Sequence, residues 1–364
     1  MVPDRTTWPR KTRELRNQLI DSRVWNELRF RPDDVVIATY AKAGTTWTQQ
    51  IVAQLIFGGR EGIDLAALSP WLDLRVPPEE VKLAALEAQQ HRRFIKTHLP
   101  VDALVFSPAA KYIYVGRDVV WSLYNHHANA TDDWYRLIND TPGRIGPPIP
   151  RPPASIHQYF LEWLEGDGYP FWSFWDNVSS WWAIRHLPNV LFLHFADLKR
   201  DLPGQMRRVA AFLEIRLDQR AFDAAVRHCS FDHMKAHAEK YAPHRGRLYK
   251  GGARAFIHQG TNGRWGDVLS AEDCRRYEAA AAERLGWRCA RWLAEGGSID
   301  QDLGLAGSRA DPPLRLETSR SSSGPPGAAA TECGHPPRIT KRSPQEGESH
   351  VQHSSRQARP RARV

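Results

Sequence analysis

The hydrophobic pattern of the chain alternates between short apolar runs and longer segments with apolar residues at helical spacing. Four runs have the length and the β-branched or aromatic content of strands, at residues 35–40, 93–100, 111–116 and 189–195. Helical periodicity is found at residues 48–57, 79–90, 203–212, 218–228 and 271–285. This alternation predicts an α/β fold with a mostly parallel sheet flanked by helices.

The first apolar run, which begins at Val35, continues into a loop of small residues that contains one lysine, Lys42. The helical pattern that follows places this loop between the end of a strand and the start of a helix. Backbone N–H groups at a helix start lack partners and carry the positive end of the helix dipole, so the junction favours a phosphate. Lys42 precedes Gly44 by two positions, whereas the loop of ordinary ATPases and GTPases has lysine directly after glycine. An ordinary ATPase or GTPase loop is therefore not expected.

The composition separates a folded body from a tail. The chain of 364 residues with 41% hydrophobic residues can form one large core, which we assign to residues 1–297. Residues 298–364 are rich in Ser, Pro, Gly and Arg and are predicted to be a disordered basic tail. From residue 305 onward, ten Lys and Arg against five Asp and Glu contribute +5 of the formal net charge of +9. The weakly basic body suits a polyanionic nucleotide, and no nucleic-acid partner is expected.

Cysteine and histidine positions point to a reduced, metal-free protein. The four cysteines are scattered without a Cys-x-x-Cys pair, which predicts a cytoplasmic setting. No stretch approaches the ~18 apolar residues of a membrane span, so no membrane partner is expected. His126 and His127, and His233 and His237, lack acidic or cysteine partners at ligand spacing, so no metal is expected. Neither the oligomeric state nor the identity of a substrate is indicated.

Two motifs carry a resemblance to the cytosolic-type sulfotransferases. Residues 40–47, Tyr-Ala-Lys-Ala-Gly-Thr-Thr-Trp, match six of eight positions of that family's Tyr-Pro-Lys-Ser-Gly-Thr-Thr-Trp signature. Residues 96–100, Lys-Thr-His-Leu-Pro, match its second signature without a change. The resemblance implies a P-loop NTPase-like sulfotransferase fold and the donor 3′-phosphoadenosine 5′-phosphosulfate (PAPS), without a metal. The residues that would hold the 5′-phosphosulfate are Lys42, Ala43, Gly44, Thr45, Thr46 and Trp47.

The resemblance also implies the catalytic residues, with His98 as general base and Lys42 and Lys96 neutralising charge on the reacting oxygens. An acceptor hydroxyl is a poor nucleophile until its proton is removed, and imidazole titrates near working pH. The expected reaction is transfer of the sulfuryl group to a hydroxyl, or an amine, of a small apolar or aromatic acceptor. The dense aromatic residues between 131 and 182 are the candidate acceptor wall, and about half of them are expected to serve ordinary helix packing instead.

Weaker matches extend the donor site. Arg117 and Ser122 resemble the pair that grips the 3′-phosphate, but they are five positions apart instead of about eight. Phe195 stands where the family has a tyrosine, and Phe231 is expected to sandwich the purine against Trp47. Residues 256–265 resemble the family's Phe-x-Arg-Lys-Gly-x-x-Gly-x-Trp loop, with His258 and Gln259 in place of its basic pair, followed by Gly260.

These departures keep two alternatives open. A catalytically weak or inactive nucleotide-binding module would explain the short spacing between Arg117 and Ser122 and the loss of two permanent charges at His258 and Gln259. A kinase that uses the same anion loop is the second alternative.

Overall fold

The computed structural model of the chain describes residues 7–143, 145–257 and 269–299. Within these residues, the centre of the fold is a four-stranded sheet in the order β2-β1-β3-β4, and every pair of neighbours is parallel. Its strands are β1 (Val35–Thr39), β2 (Phe94–Thr97), β3 (Lys111–Gly116) and β4 (Val190–His194). The parallel α/β sheet predicted from the apolar runs is confirmed. The fourth strand ends one residue before its predicted limit, because Phe195 begins a helix that His194 caps.

Helices connect the strands and cover both faces of the sheet. They are α1 (Val24–Glu27), α2 (Thr45–Ile56), α3 (Leu65–Leu68), α4 (Glu79–Glu87), α5 (Val120–Ala128), α6 (Asp132–Asn139), α7 (Ile156–Glu165), α8 (Phe174–Ala183), α9 (Phe195–Arg200), α10 (Leu202–Phe212), α11 (Gln219–Cys229), α12 (Phe231–Ala236), α13 (Ala238–Tyr241), α14 (Gly252–Phe256), α15 (Ala271–Leu285) and α16 (Trp287–Glu295). Two short 3-10 turns lie at Val101–Ala103 and Pro243–Gly246.

Helix boundaries follow the predicted periodicity to within a few residues. Helix α2 starts at Thr45 instead of residue 48, because Gly44 is the N-cap and its carbonyl accepts from Thr48 N–H. Helix α4 ends at Glu87, three residues before its predicted end. Helix α15 has its predicted bounds, since Ser270 and Asp273 form a reciprocal capping box.

The two faces of the sheet belong to two apolar layers, because successive side chains of a strand point to opposite faces. Val35 and Ile37 of β1 pack with Ile51 of α2 and with residues of α10 and α11. Val36 and Ala38 of the same strand pack with Trp181 of α8 and with Trp292 of α16. With both faces covered, the free edge for ligands is the one formed by the carboxyl ends of the strands.

The N-terminal segment is part of the core, which its polar composition did not predict. Ile20 and Trp25 are completely buried, and Trp25 Nε1 donates a hydrogen bond to Asp73 at 3.2 Å. Leu19, one residue earlier, lines the main cavity described below. The segment that precedes the first strand therefore closes one side of the fold.

A buried ion pair joins the beginnings of the two neighbouring strands β1 and β2. Arg93 Nε donates to Asp34 Oδ1 at 2.8 Å, and Arg93 Nη2 donates to Asp34 Oδ2 at 2.5 Å. Both side chains are at most 1% exposed, and Arg93 also donates to the Arg29 carbonyl. This bidentate ion pair fixes the register of β1 and β2 at the end of the sheet opposite the Lys42 loop.

Several expectations concern features outside the sheet. Cys229, Cys274 and Cys289 are buried, and none of them forms a disulfide within the described part of the chain. Among the residues that the structure describes, no helix is long and apolar enough to cross a membrane. The predicted tail lies outside the described residues apart from residues 298 and 299, so the boundary at residue 297 stays a prediction.

Candidate active site

The carboxyl ends of all four strands contribute side chains to one cavity of about 440 Å³. Lys42 follows β1, His98 follows β2, Arg117 follows β3 and Phe195 follows β4. Lys96, the third residue of β2, also lines the cavity. Parallel strands bring their carboxyl ends to the same edge, which explains why residues that are 153 positions apart in the sequence meet here.

The loop after β1 has a backbone that requires Gly44. Its φ is +115°, and a Cβ at this position would lie 3.1 Å from the Phe195 ring. Lys42 also has a left-handed φ, of +69°. A hydrogen bond of 2.7 Å between the hydroxyls of Thr39 and Thr45 closes the turn. Gly44 is the N-cap of α2 and has no side chain that could accept from the first backbone N–H groups of the helix. These N–H groups are therefore not capped by a side chain at the loop.

The cavity contains three half-buried cations. Burial is the main cause that lowers the pKa of Lys42 to about 7, and the neighbouring charges of Lys96 and Arg117 lower it further. Burial also lowers the pKa of Lys96 to about 8 and that of Arg117 to about 10. Burial makes these three side chains costly to charge, and a bound anion would offset this cost by favouring their charged forms. The cavity is therefore suited to a multiply charged anionic ligand.

Aromatic rings and a carbonyl hold these cations in place. The Arg117 guanidinium lies 3.8 Å from the centre of the Phe195 ring and donates to the Lys42 carbonyl at 3.2 Å. The Lys96 ammonium lies 4.5 Å from the centre of a Trp71 ring. Cation–π contacts stabilise a charge without neutralising it, so the cations keep their attraction for a ligand.

His98 is held as a neutral imidazole with a defined tautomer. Its Nδ1 lies 2.7 Å from the Thr39 carbonyl, which can only accept, so Nδ1 carries the proton and Nε2 has the free lone pair. Burial, assisted by the charge of Lys96, lowers the pKa of His98 well below its usual value. The ring lies between Trp71, in edge contact at 4.7 Å, and Trp172, stacked at 5.9 Å. His98 Nε2 can therefore accept a proton from a group in the cavity.

Most of the chain matches a known protein family. The family model described as "Sulfotransferase domain" matches residues 32–287 of the chain. The chain belongs to the sulfotransferase family. It is a sulfotransferase enzyme, and the fold and reaction class predicted from the two motifs are confirmed.

Individual relatives support the same family. A glycolipid sulfotransferase of Mycobacterium tuberculosis (strain ATCC 25177 / H37Ra) is 32% identical over 302 residues, which are 75% of this chain and 92% of that protein. Sulfotransferase 1A1 of Rattus norvegicus is 27% identical over 265 residues, which are 70% of this chain and 85% of that protein. A crystal structure of retinol dehydratase in a complex with retinol and PAP has a TM-score of 0.54 and 25% identity, covering 72% of this chain and 84% of that chain.

The sulfotransferase cavity contains most of the predicted site residues. Besides Lys42, Lys96 and His98, the predicted residues that line it are Gly44, Thr45, Thr46, Trp47, Arg117, Ser122, Phe195 and Phe231. Arg117 and Ser122 share the cavity despite their short spacing, since α5 starts at Val120, close behind β3. Ala43 is buried and does not line the cavity, and its N–H donates to the Tyr40 carbonyl. His258, Gln259 and Gly260 lie outside the described residues.

The aromatic residues predicted to stack on a purine lie on one side of this cavity. Trp47 donates from Nε1 to the Cys229 carbonyl at 2.8 Å and meets the Phe195 ring edge-on at 5.5 Å. Phe231 is 36% exposed and lines the same cavity. These rings are therefore accessible to a planar group in the cavity, and the Phe195 ring also packs against the Arg117 guanidinium.

Only part of the aromatic segment predicted as the acceptor wall lines the cavity. Trp134, Phe171 and Trp172 line the cavity, Tyr169 is exposed, and Trp182 is partly buried against the core. The other large aromatic residues of the segment are buried in the core, and they are Tyr135, Tyr159, Phe160, Trp163, Phe174, Trp175 and Trp181. They fill the layer between the sheet and α15, so aromatic density alone did not separate wall from core.

Other lining residues were missed by sequence reasoning. They include Trp71, Leu74, Trp121, Asn125, His126, Asn129, Tyr249 and Phe256. Four of these lie on α5 or directly after it, at positions 121, 125, 126 and 129, which is the spacing of one helix face. The same face includes Ser122, so extending the predicted phosphate-binding residue along its helix could have found them. His126 and His127 are not part of a metal cluster, because no group of three or more His, Cys, Asp or Glu in the described part of the chain could hold an ion.

Proposed function

We propose that this sulfotransferase transfers the sulfuryl group of PAPS to a hydroxyl, or an amine, of a small apolar or aromatic acceptor. His98 is the general base, and Lys42 and Lys96 are the cations at the reacting oxygens. The observation that supports this proposal is the convergence of two lysines, one arginine and the free Nε2 of a neutral histidine on one cavity. The retinol dehydratase structure with PAP supports the same class of donor.

The donor would extend from the helix start to the purine side of the cavity. The N–H groups at Gly44, Thr45 and Thr46 and the Lys42 ammonium would bind the 5′-phosphosulfate. Arg117, with Ser122, would bind the 3′-phosphate, because a guanidinium matches phosphate oxygens and a hydroxyl adds a donor. Trp47, Phe195 and Phe231 offer the aromatic surfaces for the adenine.

The reaction would be an in-line displacement at sulfur. The acceptor O–H gives its proton to His98 Nε2 as its oxygen forms a bond to sulfur. The bond between sulfur and the bridging oxygen breaks, and that oxygen keeps the electron pair and leaves as part of the 3′,5′-bisphosphate product PAP. Lys42 and Lys96 stabilise the charge that develops on the bridging and sulfuryl oxygens, in a cavity where water is partly excluded.

The acceptor side of the cavity is apolar, which supports a small apolar or aromatic acceptor. Trp71 and Trp172 flank the His98 ring, and Leu74, Trp134 and Ile138 line the same cavity. Apolar walls with few polar groups are typical of sites for small organic ligands. The hydroxyl or amine of such an acceptor would approach His98 Nε2 between the two tryptophans.

The test is transfer of labelled sulfate from PAPS to a panel of phenols and aliphatic alcohols by the purified protein. We expect His98→Gln to remove the transfer and to leave PAP affinity within a few-fold, because the base acts on the acceptor and not on the donor. His186→Gln is the matched control, since His186 is exposed and does not line the cavity. Undiminished transfer by His98→Gln would show that another group removes the proton.

Calorimetric titration separates this proposal from the two alternatives. A PAPS-dependent sulfotransferase binds PAP more tightly than ATP or ADP, whereas a kinase shows the reverse preference. A protein that binds PAP tightly but transfers no sulfate to any acceptor would be the inactive nucleotide-binding module.

A further inference from the structure

His126 is a cavity residue to which the proposed reaction assigns no role. It lies on α5, and its Nδ1 is 3.2 Å from the Lys42 ammonium. Its ring contacts Trp134 edge-on at 6.0 Å and lies 5.1 Å from Tyr249. The Lys42 ammonium also lies 4.1 Å from the centre of the Phe256 ring. Helices α5, α6 and α14 and the segment before α14 therefore enclose the end of the Lys42 side chain.

The hydrogen bond between these residues has a defined direction when Lys42 is charged. An ammonium donates three hydrogen bonds and accepts none, so His126 Nδ1 accepts and the proton of the ring is on Nε2. Burial is the main cause that lowers the pKa of His126 well below its usual value, and the neighbouring Lys42, His127 and Lys96 lower it further. A neutral ring can therefore act as acceptor across the ordinary pH range. Tyr249 faces the ring as well, and burial raises its pKa, so it stays neutral.

Lys42 needs such a partner before the donor arrives. It is half-buried near two other cations, and this environment favours its uncharged form. A neutral acceptor and an aromatic face both favour the charged form, and neither would have to be displaced as a counter-ion when a phosphosulfate binds.

We propose that His126 is a positioning residue, which holds the Lys42 ammonium through its neutral Nδ1 at the boundary between the donor loop and the acceptor side of the cavity. This inference rests on the proposed function of Lys42 in donor binding. Without the acceptor at position 126, Lys42 loses its proton at a lower pH. Donor affinity then falls on the alkaline side, where the charge of Lys42 has to be gained during binding.

Two variants separate the acceptor from the packing of the ring. His126→Asn keeps an acceptor oxygen close to the position of Nδ1, and His126→Phe keeps an aromatic ring without an acceptor. By calorimetry with PAP, we expect His126→Phe to lose about five-fold in affinity at pH 8.5 and less than about two-fold at pH 6. His126→Asn should stay within about two-fold of the natural protein at both pH values. Equal losses in both variants at both pH values would show that His126 only fills space.

Nitrogen NMR of the histidine-labelled protein tests the contact without the reaction. The expected spectrum has an unprotonated Nδ1 and a protonated Nε2 at His126, and the Nδ1 shift changes in Lys42→Met. A proton on Nδ1, or no change in Lys42→Met, would overturn the inference. If the natural protein binds no PAP but shows this spectrum, the contact stands and the proposed donor is wrong.

Discussion

The half-buried cations at the edge of the sheet show how single residues prepare this sulfotransferase for an anion. Lys42, Lys96 and Arg117 are costly to charge in the empty cavity, mainly because burial removes water from them. The motif around residues 40–47 predicted where Lys42 lies. It could not predict the pKa of Lys42, which depends on burial in the folded chain and then on Lys96 in β2 and Arg117 after β3.

Binding of PAP should take up a proton at alkaline pH. Free Lys42 has a pKa lowered to about 7 and is largely neutral at pH 8, whereas adjacent phosphates raise this pKa and charge it in the complex. We expect an uptake of about one proton at pH 8 and an affinity that falls as the pH rises above about 7. Calorimetry in buffers of different ionisation enthalpy measures this uptake. Lys42→Met should lose most of it, while protons exchanged by the phosphates themselves are unaffected.

Arg117 should account for the preference for a 3′-phosphate. Its pKa of about 10 keeps it charged at neutral pH, and it shares the cavity with Ser122. We expect PAP to bind more tightly than adenosine 5′-phosphate by about 1.5–3 kcal/mol, the range of hydrogen bonds to charged groups. Arg117→Met should remove most of this difference. Arg276→Met, at an exposed ion pair with Glu165, is the control that should keep it.

Equal affinity of the natural protein for both nucleotides would favour the inactive-module alternative. The sequence departures alone could not decide this point. Arg117 and Ser122 are only five positions apart, yet both line the cavity, because α5 already starts at Val120, three residues after Arg117.

At the scale of elements, the strands were predictable because each is a short apolar run that is buried on both faces. The N-terminal segment was not, since Ile20 and Trp25 stand among charged residues and show neither period. Their burial depends on partners distant in sequence, such as Asp73, which accepts the hydrogen bond of Trp25 Nε1. Likewise, the apolar and polar positions of α5 alone could not indicate that Trp121, Asn125 and Asn129 face a cavity instead of solvent.

The pair of Arg93 and Asp34 should be the most sensitive polar contact between elements. Both side chains are at most 1% exposed, so removing one of them leaves the charge of the other buried without a counter-charge. Arg93→Met should therefore lower the free energy of unfolding by about 3–5 kcal/mol. Guanidinium unfolding measures this, with Arg291→Met as control, since its exposed pair with Glu295 should contribute at most about 0.5 kcal/mol.

The double variant Arg93→Met with Asp34→Leu tests the reason for this loss. If the cost comes from the unpaired carboxylate, the double variant should be more stable than Arg93→Met alone. The double variant could instead lose as much unfolding free energy as Arg93→Met and Asp34→Leu lose together. That result would mean that the hydrogen bond to the Arg29 carbonyl and the packing dominate.

At the scale of the whole molecule, the sulfotransferase body and the C-terminal tail should behave as independent parts. The buried residues of the apolar layers extend to Leu293 on α16, and the partly buried Ile299 packs against the same layer. The aromatic segment between residues 131 and 182 contributes more to these layers than to the cavity, which explains why composition identified the segment but not the role of each ring. The sequence after residue 305 has almost no aromatic or periodic apolar content to add to them.

Deleting residues 305–364 should therefore leave the melting temperature within about 1 °C and PAP affinity within about two-fold, because the deleted part has little to pack. Its charge is its main property, since it contributes +5 of the formal +9. The truncated protein should elute from a cation exchanger at lower salt than the full chain, and the difference should vanish above about 0.5 M salt as screening shortens the reach of the charges. A drop of several degrees on truncation, or a loss of PAP affinity that salt does not remove, would show instead that the tail docks on the body.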